Sequence, residues 1–321
     1  MAISARPASP EVRHVEIGPD RAGQRLDNFL LATLKGVPRS HVYRLLRRGE
    51  VRVNRGRAKP EYRLEEGDVV RIPPVRTAIS EKRLASGESF AWLAERILHE
   101  DEHLIVVDKP PGLAVHGGSG VAVGLIEALR ALRPDQPGLE LAHRLDRETS
   151  GCLLVAKTRQ ALGELHRQLR EGEVHKHYLA LVMGVWRGGA RTVSAALARG
   201  KYAPGERQVR VAEEGKASAS RFTPQRRFVG STLVEVELFT GRTHQARVHA
   251  AHLGQPIACD DKYGDYEFNR RLRRVGLKRL FLHAARLEFR HPVSGLKLDV
   301  KSPLPPDLEA VLARLDHETR A

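Results

Sequence analysis

Beyond about residue 95 the chain is assembled from short apolar runs separated by polar turns. They are HLIVVDKPPG (103–112), GCLLVAKT (151–158), HYLALVMGVW (177–186), TLVEVELFTG (232–241), LFLHAARLEF (280–289) and GLKLDV (295–300). Runs of this length bounded by glycine, proline and charged residues make strands, because a helix needs a longer stretch at 3.6-residue spacing to bury a comparable face. In one run Val234, Val236 and Leu238 alternate with Glu235 and Glu237, which sets one face on a core and the other in water. Helical spacing intervenes at about 121–132, 159–171 and 243–253, and no internal repeat is present. The expected fold is α+β, with a mixed, mainly antiparallel sheet flanked by helices.

The N-terminal part follows another plan. In LDNFLLATL, Leu26, Phe29, Leu30 and Leu34 recur at helical spacing. A second helix is predicted over 39–48 with Val42, Leu45 and Leu46 facing inward, and Gly49 is placed to end it in the left-handed conformation. VRVN, the turn Asn54-Arg55-Gly56 and the pair Gly67-Asp68 before VVRIP describe a small twisted hairpin, closed by Pro73 and Pro74. Residues 39–59 hold eight basic side chains against one acid, Glu50, and His41, Arg44 and Arg48 lie away from the apolar stripe of the helix. Together with a formal net charge of +15 on 321 residues, this calls for a polyanionic partner, nucleic acid first. A solvated helix face is the plainer reading of such a run, and Arg44, Arg47 and Arg48 are the residues that decide between the two. The pattern resembles the S4 RNA-binding module over about residues 22–73, which implies structured RNA as ligand and no particular reaction.

No run of 18 apolar residues and no apolar leader occurs, and no basic helix presents a Trp or Phe face, so a cytoplasmic protein without membrane contact is expected. Cys152 and Cys259 fit no metal or redox spacing and are expected to be small core or near-surface residues. His99-Glu100-Asp101-Glu102-His103 matches the zinc-protease string, which works only on a helix. Here it leads into LIVVDKP, so it is expected to form a turn entering a strand, with both imidazoles in solvent. His244, His249 and His252 do not share one helical face, and Gly117, Gly118 and Gly120 lack the spacing of a phosphate-binding loop. No metal and no cofactor is therefore expected.

The segment most specific for chemistry is AHRLDRETSGCLLVAKT, 142–158. Strand-like residues flank it, so Asp146 is displayed on a loop held at both ends, with His143, Arg144 and Arg147 around it to keep it ionised and nucleophilic. An isolated Asp in such a place more often caps a turn or pairs with an arginine. HRLD-x-x-TSG as a whole is similar to the signature of the pseudouridine synthases that modify large-subunit ribosomal RNA and some tRNAs, in which this Asp is catalytic. Three more segments resemble that family in order: HKHYLALVMG (175–184), GRTHQARVHAAHLGQPIACDDKYG (241–264) and FLHAARLEF (281–289). The resemblance implies that Tyr178 stacks on the target uracil, that Arg242 pairs with the catalytic carboxylate, that Leu282 walls the pocket and that Arg144 fills the space left by the flipped base. Taken alone, these residues read as a strand aromatic, a cation at a turn before a helix, a core leucine and a phosphate contact.

AVHGGSG (114–120) and DDKYGDYEFNRRL (260–272) resemble most a subtype of the family acting on 23S rRNA; a sister enzyme for another ribosomal helix or for tRNA is the alternative. The rival from another class is a non-catalytic RNA-binding protein, which has no need of a displayed carboxylate. The expected organisation is a tail over 1–20, an S4 module over 21–76, a linker over 77–94, a catalytic domain over 95–312 and a tail over 313–321. A monomer acting on RNA is expected.

Overall fold

The computed structural model describes residues 11–19, 21–34, 37, 39–75, 87–117, 123–136, 138–201 and 207–320. The chain divides into two compact units, Met1–Leu84 and Ala85–Ala321.

The first unit contains β1 (Arg13–Glu16), α1 (Leu26–Thr33), α2 (Arg39–Arg48), β2 (Arg52–Val53) and β3 (Val69–Ile72). Its strands form an antiparallel sheet in the order β1, β3, β2. The apolar stripes of the two helices close on the sheet, burying Phe29, Leu30, Val42, Leu45, Val70 and Ile72 in one core. Gly49 ends α2 at a φ of 68°, as expected. Asn54 and Arg55 both take positive φ, 49° and 68°, in the turn after β2. The Asn54 side chain offsets that cost: it accepts from Val69 N–H at 2.9 Å and donates to Asp68 at 2.7 Å, locking the two ends of the hairpin. β1 falls inside the stretch 1–20 expected to be a tail. Main-chain pairing of residues 13–16 with β3, and a fully buried Ile17 beside it, fix this segment in the sheet.

The second unit opens with a 3-10 helix over Gly87–Arg96 and continues through β4 (Ile97–Glu100), β5 (Leu104–Lys109), α3 (Leu125–Leu132), β6 (Glu140–Leu141), β7 (Ser150–Ala156), α4 (Arg159–Glu171) and β8 (His175–Met183). Next come β9 (Arg191–Ser194), β10 (Leu197–Lys201), β11 (Arg207–Val211), β12 (Ala219–Phe228), β13 (Ser231–Leu238) and α5 (Gln245–His252). α6 (Tyr266–Val275), β14 (Leu282–Arg290), β15 (Lys297–Lys301) and α7 (Pro306–Arg320) complete it. Ten strands form one sheet in the order β4, β5, β7, β14, β8, β13, β12, β9, with β15 added on β14 and β6 on β7, while β10 and β11 make a separate hairpin. The sheet is mixed and mainly antiparallel, as the alternation in 232–238 requires. Among the described strands the parallel contact is between β7 and β14.

Helices cover both faces, and strand residues divide between them with period two. Ile105, Val107, Leu153 and Val155 face a core shared with α3, whereas Leu104, Val106, Cys152 and Leu154 face one shared with α4. Residues 313–320, expected in a tail, belong to α7, and Leu308, Val311, Leu312 and Leu315 recur at helical spacing in a core with Phe268 and Leu272 of α6. Both cysteines are buried and free, and burial pushes the Cys152 thiol up to about 12. Residues 118–120 of the AVHGGSG segment lie outside the described residues.

Candidate active site

The loop carrying Asp146 is fastened by main-chain contacts. Thr149 N–H donates to Asp146 O at 3.2 Å, and Gly112 N–H donates to Arg147 O at 2.9 Å. The fully buried Lys109 ammonium donates to the carbonyls of Pro110, Leu113 and Arg147, tying the DKPPG turn to the same loop. Gly151 explains the end of the motif. It sits where β7 meets β14, at a φ of 108°, and a Cβ there would lie 2.2 Å from Ala284 O, so no side chain fits. Ser150 Oγ lies 3.0 Å from His283 Nδ1 in the same seam.

None of the three flanking cations read from the sequence pairs with Asp146. His143 accepts the Leu154 N–H through Nε2 at 3.1 Å, and burial, with the charge of Lys176, lowers it to about 4, so it is neutral. Arg147 donates to Gly112 O, and Arg144 is exposed at the mouth of the site. The cation that meets Asp146 is Arg247, whose Nη1 stands 3.4 Å from Oδ2. Arg242, expected in that role, is exposed and donates from Nε to Ala217 O at 3.2 Å. The reason is the path of the chain. Arg242 belongs to the turn between β13 and α5, whereas Arg247 lies in the first turn of α5 and points back at the carboxylate.

Arg247 is held from behind by Asp260, with bidentate hydrogen bonds of 2.7 Å each, and its guanidinium lies over the Tyr263 ring. Burial opposes its charge, but the hydrogen bonds and charges of Asp260 and Asp146 more than offset that and raise its pKa. Burial likewise opposes the Asp260 charge, and Arg247 with the Lys262 and Tyr263 N–H groups holds Asp260 below the usual carboxylate range. His244 Nε2 is 3.8 Å from Asp146 Oδ1. It takes a φ of 55°, rare for a residue with a Cβ, and its Nδ1 is 2.8 Å from the Tyr263 hydroxyl. Burial keeps this imidazole below its ordinary pKa. The sequence reading missed Arg247, Asp260 and His244 as a set. The available signal was Arg247, a charged residue among the small and apolar residues Ala246, Val248 and Ala250 at the start of a helix.

Asp146, Arg144, Tyr178, Leu238 and Arg242 line both of two adjoining pockets, a narrow one of about 50 Å³ and a larger one of about 650 Å³. Leu282 and Arg247 wall the narrow pocket. Tyr178 is buried on β8, and burial and the nearby Asp146 charge raise its phenol pKa, so the ring stays neutral. The structure thus brings Asp146, Tyr178, Leu282 and Arg144 to one site, with Arg242 at its rim.

In the first unit Arg44, Arg47 and Arg48 are all exposed on α2. Arg48 also lines a groove of about 920 Å³ with Arg52, Arg55, Arg71 and His14. The zinc-protease string forms no helix. His99 lies near the end of β4 with Nε2 2.9 Å from Asp101, and β5 begins just past His103. The imidazoles are not simply in solvent, since the His103 ring meets His291 edge-on and its Nδ1 is buried. Among the described residues no group of three or more His, Cys, Asp or Glu is arranged to hold a metal ion. No described helix is long and apolar enough to cross a membrane.

Comparison with known proteins agrees with this geometry. The sequence model described as RNA pseudouridylate synthase matches residues 103–252, and that of the S4 domain matches 24–70. The chain is 54% identical over 311 residues to ribosomal large subunit pseudouridine synthase C of Escherichia coli K12, covering 96% of this chain and 98% of that one. Its identity to the protein of the same name from Pasteurella multocida is 53% over 306 residues, covering 95% and 94% of the two chains. The solved structure of human RNA pseudouridylate synthase domain containing 4 superposes with a TM-score of 0.60 at 27% identity, over 72% of this chain and 96% of that one. With a displayed carboxylate, a basic pocket and relatives alike over nearly its whole length, the chain belongs to the RNA pseudouridylate synthase family.

Proposed function

We propose that this isomerase converts uridine to pseudouridine in 23S ribosomal RNA, with Asp146 as the nucleophile and no cofactor, as a cytoplasmic monomer. The observation that carries the reading is the placement of Asp146. It is half-buried on a rigid loop, faced by an arginine that is itself locked by a second carboxylate, at the junction of two pockets lined by basic and apolar side chains. A carboxylate so placed is pre-aimed at a substrate entering either pocket. The relatives' name supports the ribosomal large subunit as substrate, and the exposed Arg44, Arg47 and Arg48 supply an RNA-binding surface.

In the reaction the N1 to C1′ bond of uridine breaks, the uracil turns, C5 bonds to C1′, and the proton lost from C5 is replaced by one on N1. Asp146 serves by bonding transiently to C1′ or to C6, and either role requires its charge. Tyr178 and Leu282 present the flat and apolar surfaces that hold the uracil between them. Extruding the base costs a few kcal/mol of unstacking, and Arg144 at the mouth is placed to fill the vacated stack. Arg242 at the rim is assigned to the RNA backbone. Asp146→Asn is the test: isomerisation of rRNA should fall by about ten-thousandfold or more with fold and RNA affinity retained. Activity within about tenfold of wild type would remove Asp146 from the chemistry.

A further inference from the structure

β8 presents two side chains to the site with strand period two. One is Tyr178 and the other is Lys176, which the proposed reaction leaves without a role. Lys176 is 6% exposed, and among the described residues its ammonium has neither a hydrogen-bond acceptor nor an ion-pair partner. Its stem is packed in the sheet and its ammonium opens on the pocket, whereas the buried Lys109 ammonium is taken up by three carbonyls. Lys176 lines the larger pocket, where Asp146 is the sole acid among the described lining residues and is already engaged by Arg247. Its Nζ lies 3.9 Å from where a Cβ on Gly241 would stand, so it reaches the turn after β13 that forms the pocket wall. The arginines of this pocket differ: Arg144, Arg170 and Arg242 are all exposed.

We propose that Lys176 binds the phosphodiester flanking the target uridine, holding the RNA backbone in the larger pocket while the base enters the narrow one. The two pockets share Asp146 and Tyr178, so a nucleotide whose base lies between Tyr178 and Leu282 carries its sugar and phosphate toward Lys176. An anion arriving in this pocket meets a cation that no acid already pairs, so a full charge-assisted hydrogen bond is open to it. Burial alone lowers the Lys176 pKa to about 8, which still leaves it mostly charged at neutral pH.

The proposal rests on the pseudouridine synthase reading, and the test separates the two. A stem-loop RNA of 23S rRNA sequence carrying a candidate target uridine is prepared intact and with an uncharged methylphosphonate at each phosphate flanking that uridine. Lys176→Gln and Lys176→Met are compared with wild type, their melting curves confirming the fold. Either variant should raise KM by about ten- to hundredfold, the worth of one charge-assisted hydrogen bond, with kcat within about threefold. One methylphosphonate should cost the wild type a similar factor and cost the variants less than about twofold, because the same interaction is then removed twice. Wild-type KM in folded variants, or a methylphosphonate penalty undiminished in them at both positions, overturns the assignment. If no form isomerises the RNA but wild type binds it more tightly than the variants, and one methylphosphonate abolishes the difference, the phosphate site stands and the isomerase reading falls.

Discussion

Replacing Lys176 by methionine should make the protein more stable while making it a poorer enzyme. Burial holds the Lys176 ammonium at about 8 against an ordinary 10.5. At about 1.4 kcal/mol for each tenfold change in proton affinity, that drop amounts to about 3 kcal/mol of folding free energy forgone at neutral pH. The sign follows from proton counting. Between pH 8 and 10.5 the unfolded chain binds the proton and the folded one does not, so stability attributable to this group rises with pH across that window; below pH 8 the full cost is present. Methionine keeps the length and apolar stem and removes the charge, so about 2 to 3 kcal/mol should return at pH 7 once repacking losses of up to about 1 kcal/mol are allowed for. For a unit of this size the gain corresponds to about 4 to 12 °C in Tm. Thermal or urea denaturation of both proteins at pH 7 and again near pH 10.5 measures it, and the advantage of Lys176→Met should shrink toward zero at the higher pH. A variant that is less stable at pH 7, or whose advantage does not change with pH, would show that the ammonium has a partner and that its burial costs nothing.

Arg247→Leu should lower kcat by about a hundred- to thousandfold and destabilise the protein by about 3 to 5 kcal/mol, since it leaves Asp260 buried and unpaired. Adding Asp260→Leu should recover much of the stability and none of the activity; an active double variant, in steady-state assays, would remove Arg247 from the chemistry. Neutralising Arg44, Arg47 and Arg48 together should weaken rRNA binding and flatten the slope of log affinity against log salt by about 0.7 to 0.9 for each phosphate no longer neutralised. The single-turnover rate at saturating RNA should stay near wild type, and an unchanged salt slope would make this face ordinary solvated surface. Turnover should persist in excess chelator with no added nucleotide, and loss of activity restored by zinc would return attention to His99 and His103.

The distribution of side chains along the chain determined much of this protein. Short apolar runs with alternating glutamates required a mainly antiparallel sheet, the stripes over 26–34 and 39–48 required two short helices closing on a hairpin, and HRLDRETSG singled out Asp146. These were legible because strand and helix periods are local and the motif is contiguous in the chain, whereas the reason for its glycine, the Ala284 carbonyl, lies far away in sequence. What touches Asp146 was not local. Arg242 and Arg247 are five residues apart with the same charge, and the choice between them depends on the left-handed turn at His244, which sets α5 so that its first turn faces the loop. The clamp from Asp260 and the neutral state of His143 arise the same way, from atoms far apart in sequence meeting where water is excluded. Burial likewise decided the standing of Lys176: in the sequence it is one lysine among many basic residues, and only the packed sheet withholds a partner from it.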